Sequence, residues 1–100
     1  MTSLEFRNLL KDDEPPADLS PLLRAVWWDA KGDWCRAHEI AQNIESRDAA
    51  WVHAYLHRKE GDAPNAGYWY GQASRPACTI EVEGEWLELV DHLLGTDFHT

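Results

Sequence analysis

An all-α fold is predicted, built from two stacked antiparallel helix hairpins with capping helices at the N- and C-terminal ends. Three observations carry this reading. Apolar residues recur every three to four positions through several consecutive segments, the spacing that gathers side chains on one face of an α-helix. A Gly-Asp pair at Gly32 and Asp33 returns 29 residues later at Gly61 and Asp62. The single stretch that alternates like a strand, Cys78 to Val82, has no second strand to pair with and so reads as loop. Five helices are expected, four of them in the two hairpins, because two hairpins alone expose too much apolar face without caps.

In chain order, residues 1–19 hold a short helix from Ser3 to Lys11, with Phe6, Leu9 and Leu10 on one side. An acidic linker comes next, in which Pro15 and Pro16 remove amide donors and disfavour helix. Residues 20–45 form the first pair. Ser20 caps and Pro21 sits in the first turn, Leu22, Leu23, Val26, Trp27 and Ala30 make the stripe, and Gly32 ends the helix. Asp33 caps the next helix, whose stripe is Trp34, Ala37, Ile40, Ala41 and Ile44. Residues 48–73 form the second pair. Asp48 is the expected cap of a helix reaching Lys59, apolar nearly all round from Ala49 to Leu56 apart from His53, and therefore buried between neighbours. After Gly61 and Asp62, Pro64 opens a helix with the stripe Ala66, Trp69, Tyr70 and Ala73. Residues 80–95 hold the capping helix, with Trp86, Leu87, Val90, Leu93 and Leu94 apolar and Gly95 closing it.

Length and composition bound the function. One hundred residues make one domain with one core. At 44% hydrophobic and 27% charged, the chain is globular material rather than a disordered segment. Nine basic residues against eighteen acidic ones give a net charge of −9, which repels phosphate backbones and anionic lipid and disfavours nucleic-acid and membrane-surface roles. Cys35 and Cys78 lack metal or redox spacing and are expected to be reduced thiols. No signal-type apolar run occupies Met1 to Lys11, and no stretch approaches about 18 consecutive apolar residues, so the expected compartment is cytoplasmic.

Shifted by 29 residues, the two pairs align on Ala25 with Ala54, Gly32 with Gly61, Asp33 with Asp62, and Ala37 with Ala66. Each identity has a mechanical reason: alanine permits close helix approach, glycine takes the left-handed stop, and aspartate caps the next helix. In these residues, together with Trp28, Trp34 and Ala41 in the first unit and Trp69, Tyr70 and Ala73 in the second, the chain resembles the tetratricopeptide (TPR) family of helix-pair repeats over about residues 21–75. The resemblance implies a non-catalytic module that binds a protein or peptide, with no cofactor. For a chain this acidic, the partner expected is a basic one.

Six tryptophans and three tyrosines stand out. Trp27, Trp34, Trp51, Trp69 and Tyr70 lie on or beside apolar stripes and are expected in the core. Trp28 and Tyr68 project away from their stripes, as a second packing face or a ligand surface, and Arg24 and Lys31 flank Trp28 at cation–π spacing. Gly67 and Gly71 share a helix face and are expected to admit a close neighbour, the last helix above all. Catalytic templates are incomplete. No Gly-x-Ser-x-Gly elbow, phosphate loop or His-Glu-x-x-His pair occurs, the neighbours Cys35 and His38 lack a cationic cradle beyond Arg36, and the carboxylates read as scattered over solvated faces.

One constellation rises above this background. His53, His57 and Glu60 follow i, i+4, i+7 and line one helix face, which admits three readings: a divalent-metal site, a small-molecule or peptide contact, or polar packing. The repeat places Arg24, Trp28 and Lys31 at the equivalent positions, continuing the face as a cationic and aromatic strip. Cations there disfavour a metal ion, so no metal is expected and packing is the leading reading. A small-molecule-binding protein or small enzyme using this face is the alternative to the interaction module.

Overall fold

In the computed structural model, which describes residues 1–97, the chain folds into six α-helices and one 3-10 turn, with no strand among the described residues. The helices are α1 (Ser3–Asn8), α2 (Pro21–Ala30), α3 (Trp34–Gln42), α4 (Arg47–Lys59), α5 (Ala63–Gln72) and α6 (Val82–Asp97), and the 3-10 turn covers Leu9–Lys11. Five of these helices begin at or after Pro21, and the sixth is the short N-terminal helix, which ends at Asn8 and continues to Lys11 as the 3-10 turn. A capping box between Thr2 and Glu5 starts it.

The repeated turn is built the same way twice. Gly32 and Gly61 both take φ +91, the left-handed conformation that glycine adopts without a Cβ penalty. The Gly32 N–H donates to Asp29 O at 2.9 Å and the Asp33 N–H to Trp28 O at 2.9 Å. The Gly61 N–H donates to Arg58 O at 3.0 Å and the Asp62 N–H to His57 O at 2.9 Å. Each pair of bonds is a Schellman stop. Asp33 then accepts from the Arg36 N–H and Asp62 from the Asn65 N–H, so each aspartate starts the next helix. A third stop closes α5 with Ser74 at φ 58 in the glycine position, a conformation that costs about 1–2 kcal/mol without glycine.

Turns this short fold α2 back on α3 and α4 back on α5, and α4 also touches both α3 and α2. Across the other side of α2 and α4 lies α6, which meets α1 as well. It buries Trp86, Leu89, Val90, Leu93 and Leu94, each contributing about 1.5–3 kcal/mol on leaving water. The Trp86 indole N–H donates to Val26 O at 3.0 Å, which seats α6 on α2. Around α4 every residue from Ala49 to His57 is buried, as its all-round apolar pattern requires.

Several local expectations need correction. Ser46, not Asp48, caps α4 by accepting from the Ala49 N–H, and Asp48 instead pairs with His92 at 2.8 Å. Gly95 does not close the last helix, which begins at Val82 and runs to Asp97. Gly67 and Gly71 admit no close neighbour: a Cβ added at either meets nothing within 4 Å. Trp27, Trp51 and Tyr70 are buried as expected, but Trp34 and Trp69 are only half-buried because they border a side-chain cluster at the surface of the hairpins. No helix among the described residues is long and apolar enough to cross a membrane.

Candidate functional site

At about 100° per residue, Trp51, Tyr55 and Arg58 occupy one side of α4, and His53, His57 and Glu60 the opposite side. The first side faces α2 and α6 and holds two buried carboxylates. Asp29 of α2, 2% exposed, accepts from Tyr55 Oη at 2.8 Å and Lys59 Nζ at 3.0 Å. Glu85 of α6, 0% exposed, accepts from Trp51 Nε1 at 3.0 Å, Tyr70 Oη at 2.6 Å and Arg58 Nη1 at 2.8 Å. Arg58 also donates to Ile80 O, which ties down the loop before α6. Burial and then the neighbouring carboxylate push the Tyr55 phenol up. Burial and the hydrogen bond to Glu85 do the same for Tyr70, while Arg58's own hydrogen bond to Glu85 raises the Arg58 guanidinium. The acidic residues are therefore not all on solvated faces: Asp29 and Glu85 are interior, and their partners keep them there.

The opposite side faces α3 and α5. His53 and His57 are buried, one turn apart, and His38 of α3 joins them. One potential ligand atom from each of the three rings lies within 4.8 Å of the others. His38 stacks on Trp34 with centroids 4.9 Å apart, and His53 stacks on Trp69 at 4.1 Å. Trp34 anchors the arrangement by donating its indole N–H to Leu56 O at 2.8 Å. His57 Nδ1 lies 3.2 Å from Glu60 Oε1. Both ring nitrogens of His53 are buried without a hydrogen-bond partner. Burial, followed by the charges of His38 and His57, lowers His53 to about 4, and burial followed by His57 lowers His38. Both rings are consequently neutral near pH 7.

The sequence pattern alone does not bring His38 to this face; it reads there only as a neighbour of Cys35. A signal exists, since His38 stands four residues after Trp34 and three before the buried Ala41, on the face of α3 that packs inward.

The remaining candidates fall elsewhere. Arg24 donates to Leu19 O at 3.2 Å and Lys31 to Leu10 O at 2.6 Å, so both fasten the N-terminal segment. The cation over the half-buried Trp28 is Arg36, 4.1 Å from the ring centroid, whereas Lys31 lies over Trp27. Arg24, Trp28 and Lys31 therefore do not extend the histidine face as a free cationic strip. Tyr68 is 58% exposed and stands edge-on to Trp69, at the rim of a groove of about 430 Å³ that includes His53, Gln42, Glu45 and Gln72. Cys35 and Cys78 are free thiols.

Comparison with known proteins finds no matching family model, no matching curated relative and no matching solved structure.

Proposed function

We propose that this chain is a non-catalytic interaction module that takes a basic peptide in the groove between α3, α4 and α5. The observation that carries the reading is Tyr68, a large aromatic ring 58% exposed beside Trp69 and opening on a groove with Glu45 and the amides of Gln42 and Gln72. An aromatic face and a carboxylate together recognise lysine or arginine, with cation–π contact contributing about 0.5–2 kcal/mol. The net charge of −9 supports the same partner by steering it to the surface. The recurrence of the Gly-Asp pair after 29 residues is the sequence feature on which the resemblance to helix-pair repeats rests, and that resemblance implies binding.

Binding of fluorescent Lys/Arg-rich and Asp/Glu-rich peptides of equal length, measured by polarisation, tests this. The basic peptide binds at low salt and weakens as salt rises, and Tyr68→Ala lowers its affinity about two- to thirty-fold with an unchanged melting temperature. Equal binding of both peptides, or no effect of Tyr68→Ala, contradicts the reading.

A further inference from the structure

We propose that His38, His53 and His57 form a transition-metal site, zinc in class, that fastens α3 to α4. This reading does not rest on peptide binding, although His53 also borders the peptide groove. It begins with what α3 lacks. Of the nine residues in α3 only Ala37 and Ala41 are fully buried, both small, and the larger Trp34 and Ile40 pack half-buried against the core, so no large side chain of this helix is fully buried. Besides the Trp34 indole, already bonded to Leu56 O, the polar side chains at the contact are the imidazoles, and His53 is 4% exposed with neither ring nitrogen partnered by the chain. Buried polar groups are as a rule satisfied, so a lone pair held inside in this way points to a ligand outside the chain.

Geometry and chemistry narrow that ligand. Zinc–nitrogen bonds of about 2.0–2.1 Å in a tetrahedron put ligand nitrogens about 3.3 Å apart. The three imidazoles offer atoms within 4.8 Å of one another, a gap that small rotations of the side-chain torsions close. His53 and His57 sit at i, i+4 on one rigid helix, and His38 comes from another, so the site spans the junction of the two hairpins. Three imidazoles with no thiolate select zinc, copper or nickel over the hard cations magnesium and calcium. Glu60 Oε1, 3.2 Å from His57 Nδ1, accepts that N–H and leaves the Nε2 lone pair to the metal, the outer-shell carboxylate that metal-bound histidines commonly have. Asp62, which shares a second potential cluster with His57 and Glu60, already caps α5. Trp34 and Trp69 stack on His38 and His53 and hold these rings at the site. His38 is only half-buried, which gives an ion a path in and leaves a fourth position for water.

The test uses the full chain, untagged and stripped of metal with a chelator, titrated with Zn²⁺ by calorimetry and with Co²⁺ by visible absorption. One equivalent binds, Co²⁺ shows the intense visible bands of tetrahedral coordination, and zinc at a hundredfold excess over Kd raises the melting temperature by about 10–20 °C. His38→Ala alters a half-exposed ring and leaves the fold intact, yet lowers affinity more than about 100-fold. Glu60→Gln lowers it about 10- to 100-fold. Cys35→Ser and Tyr68→Ala leave uptake unchanged, the latter separating this site from the peptide groove. Absence of stoichiometric uptake overturns the proposal. So does uptake as tight in His38→Ala as in the parent, which places the ion elsewhere, for instance at the His92–Asp48 pair.

Discussion

On the side of α4 that meets α6, the carboxylate of Glu85 is surrounded by Trp51, Tyr70 and Arg58, and that of Asp29 by Tyr55 and Lys59. On the side that meets α3 and α5, His53 is equally deep, and its two ring nitrogens are the buried side-chain polar atoms without a partner among the described residues. The same helix thus carries polarity inward twice, once into a closed set of hydrogen bonds and once into an open set of lone pairs. The difference separates a structural role from a ligating one better than burial or residue type does, because the cost of burying a polar group is met inside the fold on one side only.

The comparison breaks most visibly at Glu85. Glu85→Ala leaves the buried Trp51 indole N–H and Tyr70 hydroxyl without their acceptor around a new cavity and takes the carboxylate from the half-buried Arg58, and is expected to cost about 3–5 kcal/mol in urea unfolding. Against a total of about 5–15 kcal/mol for a domain of this kind, that is a large fraction of its stability. A loss below about 1 kcal/mol would mean that the closed set contributes little.

Acid sharpens the comparison on the histidine side. His53 has its pKa lowered to about 4 in the folded chain against an ordinary 6.5, so the unfolded chain takes up the proton first. Its contribution is complete above pH 6.5 and is lost as pH falls toward 4, by about 3 kcal/mol at pH 4 in metal-free protein. Many carboxylates titrate in the same window, so the quantity to measure is the difference in unfolding free energy between His53→Phe and the parent from pH 7.5 to pH 4. That difference grows in favour of the variant as pH falls. A difference independent of pH contradicts the burial of an unpartnered ring.

A smaller effect is expected where both sides share a support. α5 sends Tyr70 to Glu85 and Trp69 to His53, and it ends at Ser74 in the left-handed conformation. Ser74→Gly relieves that backbone and gains about 0.5–1 kcal/mol after the entropy cost of glycine in the unfolded chain. The gain, read from urea melts, is the same in the parent and in His53→Phe, since Ser74 is not part of either cluster.

Legibility in the sequence tracks distance along the chain. The Gly-Asp turns are readable because all of their hydrogen bonds join residues at most five positions apart, and glycine at φ +91 and aspartate at an N-cap are local requirements. His53, His57 and Glu60 are readable as one face for the same reason. Glu85 is not, because its partners lie 15, 27 and 34 residues away and nothing in its neighbourhood on α6 distinguishes it from the exposed Glu83 and Glu88. Placing His38 requires knowing that α3 packs against α4, which the stripes imply, and in which rotation, which they do not. The glycine pair at Gly67 and Gly71 misleads, since small residues on one helix face suit an approaching helix and here border open space.

The most direct test of the division is the urea unfolding free energy of His53→Phe at pH 7.5 in the presence of chelator. Phenylalanine keeps a flat ring against Trp69 and removes both orphaned nitrogens. The expected variant is as stable as the parent, or more stable by about 1–2 kcal/mol, because no bond within the chain is lost and a buried polar group is removed. A variant less stable by about 2 kcal/mol or more would show that those nitrogens are satisfied within the chain, and the two sides of α4 would then be alike.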